Sequence, residues 1–302
     1  MRSRIIKYIK NPVNIAFFLQ NRCNFPVLPD KLYLKLFYKN TFGRKLDLKN
    51  PKSYNEKLQW LKLYDRKPEY IAMVDKCEAK RYVAGIIGPE YIIPTLGVWD
   101  RFDDIDFDTL PDQFVLKCTH DSGGVVIVKD KSTLDIPSAR KVLEKSLKRN
   151  YYYSGREWVY KNIHPRILAE QYLDTPKGLE DFKFFCFSGE VKCMGQIAGR
   201  GTPDISNDFF DENGNWIDLH IDYPNAKVRP ELPKTFAEMK RLAEILSARI
   251  PHVRVDLYEV EGKVYFGEFT FFIGSGLLHL EPEEWDLKLG DMLTLPVLEQ
   301  KL

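Results

Sequence analysis

Two acidic residues near the end of the chain, Asp256 and Glu268, fall in strand-like runs over 252–260 and 264–269. Between them Glu261-Gly262-Lys263, with its central glycine, fits a tight hairpin. If Val260 opposes Val264, Asp256 faces Glu268 and Arg254 faces Thr270 on the same side of the sheet. Directly opposed side chains have Cβ atoms ~4.5 to 5.5 Å apart, and two carboxylates so placed repel unless a cation neutralises them. All-oxygen ligation suits Mg2+ or Mn2+ rather than zinc, and magnesium commonly takes one or two protein carboxylates, with water and phosphate oxygens at its other positions. The pattern is that of a metal-nucleotide site, with Arg254 as a fixed cation and Gly274-Ser275-Gly276 following the second strand. The competing reading is an exposed hairpin edge with solvated acids, and a bulge or a slip of one residue would break the pairing.

A second group of residues could meet phosphate. A strand over 113–118 carries Lys117, the small polar loop His120-Asp121-Ser122-Gly123-Gly124 follows, and a further strand occupies 125–128. Lysine supplies a point charge and glycines let backbone N–H groups approach phosphate oxygens, although Gly123-Gly124 equally suits a plain hairpin turn. No GxxxxGK[ST] stretch occurs, so a P-loop enzyme is excluded. The apolar run 166–172 ends in Glu170-Gln171-Tyr172, and Asp181-Phe182-Lys183 opens the next strand. Such a strand-to-hinge segment offers backbone donors and acceptors to an adenine edge, with acids for ribose hydroxyls.

The elements that must position these groups are mixed. Up to about residue 66 the pattern is helical, broken at Pro29, Gly43 and Pro51, and Ser53 with Glu56 forms a capping-box signature opening a helix through Trp60. Another helix is expected over 69–85, ended by Gly85 and Gly88. Short strands then dominate, at 181–187 and 191–197 besides those above. The segment 199–207 reads as a mobile loop of the kind that closes over substrates, before a hairpin at Glu212-Asn213-Gly214. A helix over 235–249 buries Phe236, Met239, Leu242, Ala243 and Leu246 and leads into the acidic hairpin. No internal repeats are found.

Composition bounds the class. The chain has 302 residues, 44% hydrophobic and 29% charged, enough for a sizeable core in one large or two compact units, which excludes collagen, coiled coil and disordered tail. No apolar run approaches the ~18 residues a spanning helix needs, and no secretory signal is expected after Ile15 to Leu19. Five separated cysteines without CxxC spacing suit reduced thiols in a cytoplasm, and Cys118 reads as a strand-packing residue. Residues 1–60 hold 13 Lys plus Arg against 3 Asp plus Glu. This front end could be a solvated helix face or could meet an anionic polymer or bilayer surface, with Ile5, Ile9, Val13 and Phe17 as an apolar stripe.

Taken in order, the chain resembles the ATP-grasp superfamily, and within it the teichuronopeptide-biosynthesis (TupA-like) branch found among bacterial surface-polysaccharide enzymes. The carriers, from about residue 30 onward, are Asn50-Pro51-Lys52 with Asn55-Glu56-Lys57, Asp75-Lys76, 114–124, Glu170-Gln171-Tyr172, Asp181-Phe182-Lys183, 254–258, and 266–271 with Gly274 to Gly276. The resemblance implies an α+β fold in which two subdomains clasp ATP, over 69–302, behind a helical basic region, 1–68. It implies Lys117 and Lys76 on the phosphates beneath a loop of His120, Ser122, Gly123 and Gly124, and Glu170, Gln171 and Tyr172 as adenine hinge. Asp181 or Glu180 would meet ribose, and Lys183 a phosphate or the acceptor. Asp256 and Glu268 would hold Mg2+ or Mn2+, with Thr270 where members often have Asn, and Gly274, Ser275 and Gly276 would form a substrate loop.

The implied chemistry is an ATP-dependent carboxylate-amine ligation: a carboxylate attacks the γ-phosphate and expels ADP, and an amine displaces phosphate from the resulting acyl phosphate. Arg254, Lys117 and Lys183 would stabilise the transferring phosphoryl group, with no covalent enzyme intermediate. The expected substrates are a sugar carboxylate and an amine or amino acid, not a nucleic acid, and the expected location is the cytoplasm, with possible contact at the inner membrane face. Of the histidines only His120 falls in this site; Tyr151 to Tyr153 with Trp158 read as packing groups or a sugar-binding face. An alternative class is a metal-dependent glycosyltransferase using Asp104, Asp106 and Asp108 as Asp-x-Asp pairs, disfavoured because no nucleotide-binding strand precedes them. A non-catalytic scaffold is disfavoured by the retained Lys117, Asp256 and Glu268.

Overall fold

The computed structural model describes residues 24, 28–176 and 178–297. The apolar stripe expected over 5–17 and Cys23 lie outside the described residues. Helix α1 (Asp30–Phe42) stops at Gly43, whose φ of 71° takes the left-handed conformation that glycine tolerates. Helix α2 (Tyr54–Tyr64) opens with the expected capping box: the Ser53 side chain accepts the Glu56 N–H, and Glu56 accepts the Ser53 N–H. The single helix expected over 69–85 is two, α3 (Glu69–Val74) and α4 (Lys76–Ile87). Asp75 breaks it, because its extended backbone lets its carboxylate accept the N–H groups of Cys77 and Glu78 and start a new helix.

Strands β1 (Thr95–Trp99), β2 (Phe114–Cys118), β3 (Val125–Val128) and β4 (Ile167–Gln171) form an antiparallel sheet in the order β1-β4-β2-β3, covered on one face by α5 (Ile136–Leu147). Phe114, Leu116 and Cys118 of β2 enter its core with Phe102, Leu143 and Ile167, so alternation turns Val115 and Lys117 to the opposite face. Burial pushes the Cys118 thiol up to about 11, consistent with a packing role.

A short helix α6 (Tyr152–Gly155) precedes the second sheet. That sheet has six antiparallel strands, β5 (Asp181–Phe187), β6 (Glu190–Ala198), β7 (Ser206–Asp211), β8 (Trp216–Ile217), β9 (His252–Val260) and β10 (Lys263–Thr270), ordered β10-β9-β5-β6-β7-β8. Helix α7 (Phe236–Ser247) packs on β5, β6 and β9 through Met239, Leu242, Ala243 and Leu246, and α8 (Trp285–Met292) lies against α2. Tyr54, Leu58 and Leu61 of α2 and Ala79 and Val83 of α4 join the core of this sheet. The result is the expected α+β architecture of two sheet-based units. No helix among the described residues is long and apolar enough to cross a membrane.

The acidic hairpin departs from expectation twice. Its turn is two residues, with Glu261 at φ 53° and Gly262 at φ 77°, as a tight hairpin favours, so Val260 pairs with Lys263 and Val264 with Glu259. That register would set Asp256 opposite Gly267. A bulge between Phe266 and Glu268 absorbs one residue, and beyond it Asp256 pairs with Glu268 and Arg254 with Thr270. Two opposite errors cancel, and the expected pair forms.

Candidate active site

Residues of both sheets line one cleft of about 530 Å³. On the six-stranded sheet, register aligns the charged groups: Lys183 of β5 pairs with Asp256 of β9, and Asp256 with Glu268 of β10. Asp256 is 1% exposed, and Arg254 clamps it, Nε to Oδ1 at 2.6 Å and Nη2 to Oδ2 at 2.7 Å, while Lys183 Nζ donates to Oδ2 at 2.5 Å. Burial works against its carboxylate, but Arg254 and Lys183 outweigh it and hold it below the usual carboxylate value. Glu268, by contrast, keeps 43% of its side chain exposed, 3.7 Å from Arg254 and 3.9 Å from Lys76. At the other end Arg200 grips Asp181, which stands 4.0 Å from Lys183. Cation and carboxylate thus alternate from Arg200 to Lys76.

The facing wall carries Lys117 and Glu170. The two residues share a face of adjacent strands one diagonal step apart, and Lys117 Nζ reaches Glu170 Oε2 at 2.5 Å. Glu170 Oε1 takes Lys80 Nζ of α4 at 2.7 Å. Burial opposes the Glu170 carboxylate, yet Lys117 and Lys80 prevail and lower its pKa. Lys76, the first residue of α4, donates to the Asp121 carbonyl at 2.6 Å and lines the cleft with Ser122 and Gly123. Gln171 and Tyr172 line it further along.

Several expected residues stand elsewhere. His120 is buried, its Nε2 hydrogen-bonded to the carbonyls of Ser146 and Arg149 at 3.2 and 3.0 Å, which makes it an anchor of the loop rather than a lining group. Gly124 is buried too: an added Cβ would lie 2.2 Å from Ser146 Oγ, so close packing demands that glycine. Thr270 Oγ1 accepts Arg254 Nη2 at 3.0 Å. Gly274, Ser275 and Gly276 lie outside the cleft lining, with Ser275 Oγ on Glu157 at 2.5 Å and the carbonyls of Ser275 and Gly276 held by Gln59. Tyr152 and Tyr153 meet edge to face, and the Arg156 guanidinium lies over both rings. Asp104 pairs with Arg101, Asp106 caps its own short turn, Asp108 is exposed, and none of the three lines the cleft.

The residues present fit a hard divalent cation that brings its own ligands. Asp256 and Glu268 offer oxygen donors side by side, and no group of three or more His, Cys, Asp or Glu that could hold an ion by itself occurs among the described residues. Tyr258 and Gly267 fall within the resembling motifs 254–258 and 266–271 but carry no site role in the sequence reading, and Lys80 and Arg200 carry none either. The four-residue spacing from Lys76 to Lys80 puts both on one helix face, and the glycines flanking Arg200 mark its turn; those were the available signals.

A family model described as TupA-like ATPgrasp matches residues 56–294. No curated protein matches the chain. Among solved structures, the chain is similar to D-alanine–D-alanine ligase from Bacillus anthracis complexed with ATP, at 17% identity and TM-score 0.38, over 66% of this chain and 54% of that one. D-cycloserine synthetase DcsG matches at 15% identity and TM-score 0.41, over 73% of this chain and 69% of that one. A RimK domain ATP-grasp protein from Sphaerobacter thermophilus matches at 14% identity and TM-score 0.41, over 76% and 70%. The chain spans little more than half the length of the Bacillus anthracis ligase structures, 54% and 57%. With the family match extending over most of its residues, the chain belongs to the TupA-like family of ATP-grasp proteins.

Proposed function

We propose that this protein is an ATP-dependent carboxylate-amine ligase that joins an amine or amino acid to a sugar carboxylate in the making of a bacterial surface polysaccharide. The observation that supports it most is the row Lys183, Asp256 and Glu268 across three strands, facing Lys117 and Lys76 over a single cleft. The donor set suits a metal-triphosphate complex better than either ion alone. Membership of the TupA-like family supports the polysaccharide setting, and 13 cations against 3 acids in residues 1–60 suit contact with an anionic polymer or the inner membrane face.

In this reading the backbone of Gln171 and Tyr172 meets adenine, Asp181 meets ribose, and Lys117 and Lys76 hold phosphate oxygens. Asp256 and Glu268 would hold Mg2+, which when bound neutralises phosphate oxygens and orients them. Arg254 and Lys183 supply positive charge where it accumulates as phosphate passes to the substrate carboxylate, and a closed cleft keeps water from the acyl phosphate. Tyr258 and Gly267 shape the floor beside Glu268. A thermal-shift series tests the reading, because a ligand that binds only the native state raises its apparent stability. Mg-ATP and Mg-ADP are expected to raise Tm, and uronic acids paired with amino acids to release ADP and phosphate. Stabilisation by UDP-sugars without any by ATP would refute it in favour of the glycosyltransferase class.

A further inference from the structure

We propose that Lys80 is a positioning residue for nucleotide phosphate binding, acting through Glu170 to keep Lys117 available to the ligand; this rests on the nucleotide reading above. Lys80 itself does not line the cleft. Only 11% of its side chain is exposed, and its three N–H donors have three acceptors: Glu170 Oε1 at 2.7 Å, the Ile93 carbonyl at 2.6 Å and Thr95 Oγ1 at 3.3 Å. Glu170, with 6% of its side chain exposed, places its second oxygen 2.5 Å from Lys117 Nζ. Of the two lysines, only Lys117 lines the cleft.

The charge arithmetic explains why a second lysine is needed. A buried carboxylate beside a single ammonium would neutralise it and hold it on the strand. With Lys80 on its other oxygen, Glu170 divides its charge between two cations, and Lys117 keeps positive charge to offer a phosphate. The trio also fixes direction. Glu170 holds Lys117 from the β4 side, and Lys80 holds Glu170 from α4, the helix whose first residue, Lys76, lines the same cleft. One helix therefore sets two phosphate-facing cations, Lys76 directly and Lys117 at one remove.

The test compares ligands with and without phosphates. In isothermal titration of the full chain with Mg-ADP and with adenosine, Lys80→Met is expected to weaken ADP roughly tenfold or more, the scale of a charge-assisted contact. Adenosine, which carries no phosphate, is expected to bind within about twofold of wild type. Lys80→Arg, which keeps the charge, should recover most of the loss. The double variant Lys80→Met/Glu170→Gln leaves no unbalanced buried acid, frees Lys117, and should bind ADP more tightly than Lys80→Met; it also serves if the single variant does not fold. Equal weakening of adenosine and ADP would mean that Lys80 only supports the adenine pocket through Ile93 and would overturn the proposal. So would unchanged ADP affinity in Lys80→Met, or a double variant that binds ADP no better than the single one. Failure of the wild-type protein to bind ADP would instead remove the nucleotide reading, and this inference with it.

Discussion

Asp256 and Glu268 are paired candidates for one metal, yet their surroundings predict that their variants fail differently. Asp256→Asn keeps shape and removes charge, leaving Arg254 and Lys183 buried against a neutral amide, where the carboxylate now takes bonds of 2.5 to 2.7 Å. Breaking a buried ion pair from one side costs about 3–5 kcal/mol. Glu268→Gln removes a carboxylate with 43% of its side chain exposed and cations no nearer than 3.7 Å, so its cost should be about 1 kcal/mol or less. Both should lose the phosphoryl-transfer step, because a metal ligand supplies several kcal/mol to the transition state, about a thousandfold in rate for about 4 kcal/mol. The assay is a urea midpoint for each variant without nucleotide, followed by ADP release with both substrates present. Asp256→Asn should unfold at clearly lower urea, and Glu268→Gln should be near wild type in stability while almost inactive. If Glu268→Gln turned over at the wild-type rate, or if both variants unfolded together, the division of labour drawn from the two environments would be wrong.

His252 is buried, its Nδ1–H donating to the Cys186 carbonyl at 2.8 Å while Nε2 accepts the Tyr54 hydroxyl at 2.7 Å, and burial lowers its pKa to about 3. The unfolded state takes up a proton near pH 6.5 that the folded state refuses, so this contribution is intact above 6.5 and lost as pH falls toward 3, about 2 kcal/mol by pH 5. His252→Asn should remove that part of the pH dependence of unfolding, and NMR should show the wild-type imidazole still neutral at pH 5. Gly124→Ala should cost about 1–3 kcal/mol by overpacking, because its Cβ would meet Ser146 Oγ at 2.2 Å and Ser146 is held by Asp121; a urea midpoint equal to wild type would show that the loop can shift.

The strands that build the site were legible because they are short runs rich in β-branched and aromatic residues. The runs 125–128, 181–187 and 252–260 coincide with β3, β5 and β9. The hairpin was legible in outcome and not in detail: Glu261-Gly262 alone can supply two left-handed residues, and the lone Gly267 in an apolar strand was the signal of a bulge. The helix break at Asp75 was hidden because an acidic cap inside a helical pattern also reads as an exposed face. His120 misled for a different reason. Its neighbours in sequence are the cleft residues Asp121 and Ser122, but its partners, Ser146 and Arg149, follow only once α5 is packed across the loop. The pairing of the Glu170 side chain with two lysines was not legible, because the approach of Lys80 depends on how α4 meets β4.

The alternation of charge along the cleft floor bears on the order in which ligands enter. Every carboxylate of that row already has cations beside it, Asp181 with Arg200 and Lys183, Asp256 with Lys183 and Arg254, Glu268 with Arg254 and Lys76, and on the facing wall Glu170 has Lys117 and Lys80. A bare divalent ion must compete with those cations for the same oxygens, whereas a metal-phosphate complex brings anionic oxygens of its own to them. Asp256, moreover, already directs its oxygens to Arg254 and Lys183, and becomes free for a metal only when phosphate oxygens give those cations other partners. Mn2+ with protein alone should therefore leave the relaxation of water protons near its free-ion value, and addition of ADP should produce a large enhancement that neither Mn2+ with ADP nor Mn2+ with protein gives. An equal enhancement before ADP is added would mean that Asp256 and Glu268 form a ready cation site, and that the arginine and lysine across them yield without help from a nucleotide.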